Sequence, residues 1–400
     1  MARRETFDVV VVGGGPAGAT AADDLARQGH DVLLLDRAGR IKPCGGAIPP
    51  RAIRDFSIPD HLLVEKVTTA RIVSPSERHV DMDVDGTRKL GYVGMVDRDV
   101  FDEWLRQRAA QNGATRRTGT FERLDRDENG RAIVVYHQPE KSELSSVSAR
   151  MVIGADGANS SVARAAVPDA RKRPFVFAYH EIIKSPVDAA DFAAQRCDVY
   201  YDGRLSPDFY AWIFPHGSTT SVGTGSMHKG FSLKGAVADL RARTGLDQVE
   251  TIRREGAPIP LKPLKRWDNG LDVLLAGDAA GVVAPASGEG IYYAMLGGRL
   301  AADAVDEALG SEDARALGLA RKRFMKQHGR VFMILGMMQY FWYANDRRRE
   351  RFVTMCADPD VQRLTWQSYM NKELTRSDPM AHVRIFFRDV AHLFGMVKPG

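Results

Sequence analysis

The chain has 400 residues, 44% of them apolar and 27% charged, with a net charge of +5; at about 150 residues per domain it has room for two or three domains and a large core. That composition is an ordinary globular one, and no basic tract is interleaved with aromatics, so no nucleic-acid partner is expected. The mild positive charge suits a solvated surface, an anionic membrane or a diphosphate ligand.

Three cysteines, Cys44, Cys197 and Cys356, stand far apart with no CxxC. This excludes a disulfide framework and a cysteine-based zinc site, leaves no metal expected, and suits a reducing cytoplasm. MARRETFD runs straight into the first strand and reads as leaving no room for a signal peptide. No run reaches the ~18 apolar residues of a transmembrane helix.

Phe7 to Val12 reads FDVVVV, a short β-branched run. Gly13-Gly14-Gly15-Pro16-Ala17-Gly18 follows, then an Ala-rich helix to Gln28, a turn at Gly29, and a second strand, Val32 to Leu35, ending at Asp36 and Arg37. Strand, glycine turn, helix, strand and acid in this order form a dinucleotide-binding unit. Gly13 permits the tight turn, Gly15 lets backbone approach a pyrophosphate, and Gly18 lets helix and strand pack closely. Pro16 and Ala17 open a helix whose N–H groups favour the phosphates. Asp36 is placed to accept hydrogen bonds from an adenosine ribose.

Next comes a loop, Lys42-Pro43-Cys44-Gly45-Gly46-Ala47-Ile48-Pro49-Pro50, marked by its Gly-Gly and Pro-Pro pairs. Residues 67–91 alternate as strands. Asp97 offers an N-cap for a helix from Arg98 to Gln111, stopped by Asn112-Gly113. Val134 to Tyr136 and Met151 to Ile153 are short strands, the second running into Gly154-Ala155-Asp156-Gly157. From about 174 to 226 the period is two, with a helix after it from Leu233 to Thr244. A buried strand, Val273 to Ala276, leads to Gly277-Asp278-Ala279-Ala280-Gly281 and a helix expected from Gly288 to Leu309.

Asp278 makes sense at a strand end if it accepts from a ribityl hydroxyl. The helix opening at Gly288, Gly290 and Ile291 then points its N–H groups at the flavin N1–C2=O edge, where negative charge gathers on reduction. Together with the first glycine motif this shifts the expected ligand from NAD to FAD. The expected fold is α/β plus α+β. A Rossmann-like FAD-binding domain takes 1–66, 92–170 and 268–312, a β-sheet substrate domain 67–91 and 171–267, and a helical region 313–400.

Several motifs carry a family resemblance. Gly154 to Gly157, the turn at Gly277 to Gly281, and Arg98 leading Phe101-Asp102 and Leu105 resemble the FAD-containing aromatic hydroxylase superfamily. The loop at Lys42 to Gly46 resembles the CGG loop of the geranylgeranyl reductase family, and Pro207 to Pro215 matches its PxxYxWxFP pattern. The run from Cys44 to Pro49, CGGAIP, looks most like the branch that reduces the geranylgeranyl chain of chlorophylls or bacteriochlorophylls to phytyl. The resemblance implies FAD, NADPH as a transient hydride donor, and three double-bond reductions on a prenylated tetrapyrrole or on geranylgeranyl diphosphate. It further implies Arg98 on the FAD pyrophosphate, Asp156 in a structural or NADPH-side role, and Cys44 to Ala47 beside flavin or substrate. There is no second GxGxxG for NADPH.

Tyr210, Trp212 and Phe214 share one face of a strand. They read either as a wall for a long apolar chain or as a sheet face packed in the core. Cys44 reads as proton donor, redox thiol or small loop residue, and Tyr210 as a second candidate donor for the proton an isolated alkene needs. Rival functions are an archaeal-type lipid reductase, a flavin monooxygenase and a non-enzymatic prenyl-binding chaperone. In the last region, Val331 to Tyr343 followed by Arg347-Arg348-Arg349 reads as a bilayer-surface helix, a prenyl-tunnel lining or a core helix. Ile385 to Phe394 is a second such stretch. The oligomeric state is left open.

Overall fold

A computed structural model of the chain describes residues 4–37, 42–83, 91–168, 170, 174–187 and 191–372. They form two compact units, one from Met1–Lys42, Arg98–Phe175 and Pro258–Phe332, the other from Pro43–Asp97, Val176–Ala257 and Met333–Gly400. The loop and strands at 43–66 fall in the second unit, where the sequence boundaries put them in the first. Residues 92–97 fall there too, and Gly94 among them lies against Leu63, Ile48 and Ile53.

The first unit is built on a seven-stranded sheet. Its order is Thr115–Thr118, Val32–Asp36, Thr6–Val12, Ser145–Gly154, Ala132–His137 and Thr120–Arg126, with Val273–Leu275 also paired to Ser145–Gly154. Strands joined by helical crossovers pair parallel and bury both faces, which is why they read as continuous apolar runs. Val9, Val10 and Val11 are fully buried. The register sets Val12 opposite both Leu35 and Gly154, and Gly154 opposite Leu275. Four strands therefore end in one row, and the residues that follow them emerge along one edge, where open α/β sheets bind ligands.

Helices follow the sequence pattern with one informative departure. Arg98–Gln111 has the expected limits, and the Asp97 carboxylate just before it meets His216. The helix expected from Gly288 begins at Ile291. Ala286 and Gly288 both hold left-handed backbone, at φ +64° and +65°, which no helix can include.

The second unit is a seven-stranded sheet in the order Thr251–Pro260, Phe175–Lys184, Thr219–Ser226, Ala211–His216, Arg196–Tyr200, Thr69–Val73 and His79–Asp83. A smaller sheet joins Ala47–Ile48, Val93–Met95 and Glu65–Val67. Ile183, Ala211, Ile213 and Val222 pack on Val237 and Leu240 of the helix Leu233–Arg243. Because side chains alternate, Trp212, Phe214 and His216 point to the opposite face. Among the described residues no helix is long and apolar enough to cross a membrane. The stretch from Ile385 to Phe394 lies outside the described residues.

Candidate functional site

In the first unit the glycine turn has three distinct jobs. Gly13 adopts φ +104°, and a Cβ there would stand 2.4 Å from the Ala155 carbonyl oxygen. At Gly18 a Cβ would lie 1.8 Å from the Gly13 carbonyl oxygen, so only glycine lets the helix Pro16–Arg27 approach its strand. Gly15 is different: it is the N-cap residue, followed by Pro16, and a Cβ would meet nothing within 4 Å. The open space over Gly15 lies before the unpaired amides of a helix N-terminus, an arrangement that can hold a diphosphate.

Asp36 accepts from the Gly14 amide at 3.0 Å. Arg106, which the sequence reading missed, donates to the Gly14 carbonyl at 3.2 Å and to Asp36 at 3.3 Å. Glu103 in turn holds Arg106 at 3.0 Å. Hydrogen bonds from Arg116, against the opposing effect of burial, and then from Arg106 push the Glu103 carboxyl down to about 2. Arg37 is exposed. Helical spacing is the signal that would have found Arg106, four residues after Asp102 and so on the same face of Arg98–Gln111.

The second motif closes on the first. Gly277, at φ +61°, leaves room for Ala17, whose Cβ a side chain would meet at 2.6 Å. Gly298 brings its helix, Ile291–Ser311, against the backbone of Ala17 at 2.1 Å from the same vantage. Asp278 is 7% exposed and forms an ion pair with Lys42. A buried carboxylate is costly unless a charge or hydrogen bonds compensate it, and Lys42 supplies that charge. Gly290 caps the helix Ile291–Ser311, and a Cβ on it would reach 3.8 Å from the Asp278 carboxylate. Two helix N-termini, an open glycine and two carboxylates thus share one edge of the first unit, a donor and acceptor set that fits FAD.

Two further residues sit in this unit. Arg98 is buried and forks onto Asp102 at 2.8 and 2.7 Å. The Asp156 carboxylate accepts from Ser160 Oγ at 2.5 Å and from the Ser161 and Val162 amides at 2.7 and 3.2 Å. It fixes the start of the helix Ser161–Ala166, while its backbone borders Gly13.

In the second unit the aromatic row is real. Tyr210 precedes the strand Ala211–His216, and its ring lies 5.9 Å from Trp212, which lies 6.1 Å from Phe214. Tyr210 and Trp212 are buried and Phe214 half-buried. The Cys44-Gly45-Gly46 loop packs on the same face. A Cβ on Gly45 would meet the Phe214 ring at 3.0 Å, and one on Gly46, at φ +69°, would meet His216 at 2.4 Å. His216 bridges this loop to Asp97, with Nε2 at 3.0 Å from the Gly45 carbonyl and Nδ1 at 3.1 Å from Asp97. Cys44 Sγ accepts from the Gly46 amide at 3.4 Å, and the chain leaves the loop through Ala47 into the small sheet. Cys197 and Cys356 are buried, which pushes both thiols up, Cys356 to about 12.

Residues 6–310 match the family model of the FAD binding domain. The chain is 59% identical to the geranylgeranyl diphosphate reductase of Rhodobacter capsulatus, with 98% of this chain and 99% of the relative covered. It is 36% identical to the chloroplastic geranylgeranyl diphosphate reductase of Arabidopsis thaliana, covering 96% and 85%. A digeranylgeranylglycerophospholipid reductase of Methanopyrus kandleri is 32% identical over 79% of this chain and 84% of its own. Among solved structures, a geranylgeranyl bacteriochlorophyll reductase-like protein of Thermoplasma acidophilum matches with a TM-score of 0.78 at 25% identity, covering 98% and 99%. The flavin-dependent brominase Bmp2 shares the fold, with a TM-score of 0.72 at 17% identity over 98% of this chain and 99% of its own.

Proposed function

The chain belongs to the geranylgeranyl reductase family of FAD-binding enzymes, and from that premise we propose that it saturates three double bonds of a geranylgeranyl tail to phytyl. The tail is carried by a (bacterio)chlorophyll or by diphosphate, and NADPH supplies the electrons. Each double bond consumes one NADPH and one proton and yields NADP⁺ and a saturated CH–CH bond. The observation that carries the reading is the row Tyr210–Trp212–Phe214 with the Cys44-Gly45-Gly46 loop packed against its end. A row of rings is a fitting wall for a chain of isoprene units, which offers only apolar surface.

Bound FAD supplies hydride transfer from NADPH to one carbon of the alkene. The protein's part is binding and orientation. Gly13, Gly15, Pro16, Ala17 and Gly18 shape the pyrophosphate cradle, with Arg98 held rigid by Asp102 for the same diphosphate. Asp36 and Arg37 take the adenosine end, and Asp278, balanced by Lys42, takes a ribityl hydroxyl. Gly277, Gly288 and Gly290 let Ile291 open its helix, whose N-terminal dipole would favour the ring edge that becomes negative. Asp156 supports the cradle by fixing the helix behind the Gly13 turn. Cys44, Gly45, Gly46 and Ala47 form the loop, and Cys44 or Tyr210 provides the proton for the second carbon.

Met333, Met337 and Tyr340 recur on one exposed face of the helix Gly318–Trp342 and support peripheral contact with the membrane that holds the prenyl substrate. Flotation with anionic liposomes tests this, and M333E/M337E should abolish it.

The main test is anaerobic. Purified protein should be yellow, bleach with NADPH, and recover its colour when geranylgeranyl-bacteriochlorophyll or geranylgeranyl diphosphate is added, with six hydrogens gained per tail by mass spectrometry. Running the two substrates side by side identifies the head group. Protein without FAD, or reduced flavin that neither substrate reoxidises, overturns the proposal.

A further inference from the structure

Behind the aromatic row lies a chain of buried polar groups that neither cofactor nor substrate binding requires. The Trp212 indole N–H donates to Ser221 Oγ at 3.1 Å. Ser221 Oγ also lies 2.9 Å from His180 Nδ1, and His180 Nε2 lies 3.2 Å from Glu255. Ser221 is fully buried and His180 is 3% exposed. An indole only donates, and an ionised carboxylate only accepts, so one consistent direction runs through the chain. Ser221 accepts from Trp212 and donates to Nδ1, and the remaining Nε2–H serves Glu255, which Arg253 holds from its other side at 2.7 Å.

The strand register is arranged around this contact. Trp212 and His180 are both paired with Gly223, from opposite sides. A Cβ on Gly223 would stand 2.2 Å from the indole and 2.7 Å from His180 Cβ, so the glycine lets the indole lie across the strand beside the imidazole. Buried polar groups are expensive unless paired, and here each is paired to the next, ending on one indole.

We propose that Ser221 and His180, backed by Glu255, are positioning residues that fix the Trp212 indole in one orientation. A rigid wall then presents the successive double bonds of the tail in register. This rests on the reading of Trp212 as substrate wall.

The test is a double-mutant cycle on the FAD-loaded enzyme, with geranylgeranyl-bacteriochlorophyll, or geranylgeranyl diphosphate if only that reoxidises the wild-type flavin. S221A and H180F should raise KM about tenfold, the scale of one lost buried hydrogen bond, and release partly reduced tails. NADPH reduction of the flavin should stay at the wild-type rate, which a merely destabilised protein would not keep. H180N, whose amide oxygen takes the place of Nδ1, should restore the wild-type tail distribution. On a W212F background S221A should add nothing. Equal effects of S221A on both backgrounds, with W212F itself impaired, overturn the positioning role alone. W212F with wild-type KM and tails overturns the wall reading and the positioning role with it.

Discussion

Gly15 and Gly18 belong to one motif, yet substitution by alanine should separate binding from folding. At Gly15 the backbone sits at φ −74°, which alanine adopts freely, and a Cβ meets no atom within 4 Å. The apoprotein should lose only the cost of a poorer N-cap, about 0.5–1 kcal/mol. The methyl group would instead occupy the space over the helix amides. Losing one or two hydrogen bonds to a charged phosphate costs about 1.5–3 kcal/mol each, so FAD should bind at least tenfold more weakly, by the ~1.4 kcal/mol per decade relation. At Gly18 the same methyl would lie 1.8 Å from the Gly13 carbonyl oxygen, a backbone atom fixed by the sheet. Helix and strand must separate there, a core overpacking worth about 1–3 kcal/mol or more. Thermal melts of apoprotein, paired with flavin-fluorescence titration, measure both effects. G15A binding FAD as tightly as wild type would refute the assignment of that space to the pyrophosphate. G18A melting with wild-type apoprotein would refute the packing argument.

Other expectations follow from single contacts. Cys44 is the one thiol outside the core, so iodoacetamide at neutral pH should label it and leave Cys197 and Cys356 intact by peptide mass mapping. Removing His216 strips the Gly45 carbonyl and Asp97 of their shared partner, about 1 kcal/mol per hydrogen bond; H216A should speed Cys44 alkylation several-fold, and an unchanged rate would count against the clamp. Glu103 is a carboxyl whose folded value, about 2, lies below its ordinary 4.5. Its contribution is therefore fully present above about pH 4.5 and lost as pH falls through about 2. Its side chain is 36% exposed, so screening limits the gain to under ~1 kcal/mol. E103Q should lower stability by that amount at pH 7 and converge on wild type in strong acid; a constant gap across the acid range in urea titrations would contradict the linkage.

What the sequence revealed and what it concealed divide along a physical line. The glycines of the first turn announce themselves because their roles are local: a positive φ at Gly13 and a helix pressed on its strand at Gly18 depend on neighbours a few residues away. The acid at Asp36 and the motif at Gly277-Asp278 are legible for a related reason, since parallel strands end in register and whatever follows them meets at one edge. Arg106, Lys42, His216, His180 and Ser221 carry no such local signature. Each acquires its role from a partner on another element: Arg106 from Asp36, Lys42 from Asp278, His216 from the loop at Gly45, and His180 from Ser221 and Glu255. Alternation along a strand says that Trp212 and Phe214 share a face, but not that a glycine on the next strand lets the indole lie over it. The helix after Gly281 shows the same limit from the other side. Its glycines read as an N-terminus, while the left-handed backbone at Ala286 and Gly288 delays the first turn to Ile291. That delay makes Gly290 the N-cap, where a Cβ would stand 3.8 Å from the Asp278 carboxylate. On the flavin placement proposed above, the amides toward the ring would be those of the turn that starts at Ile291, and it is there that a charge or a proline should change the flavin's potential most.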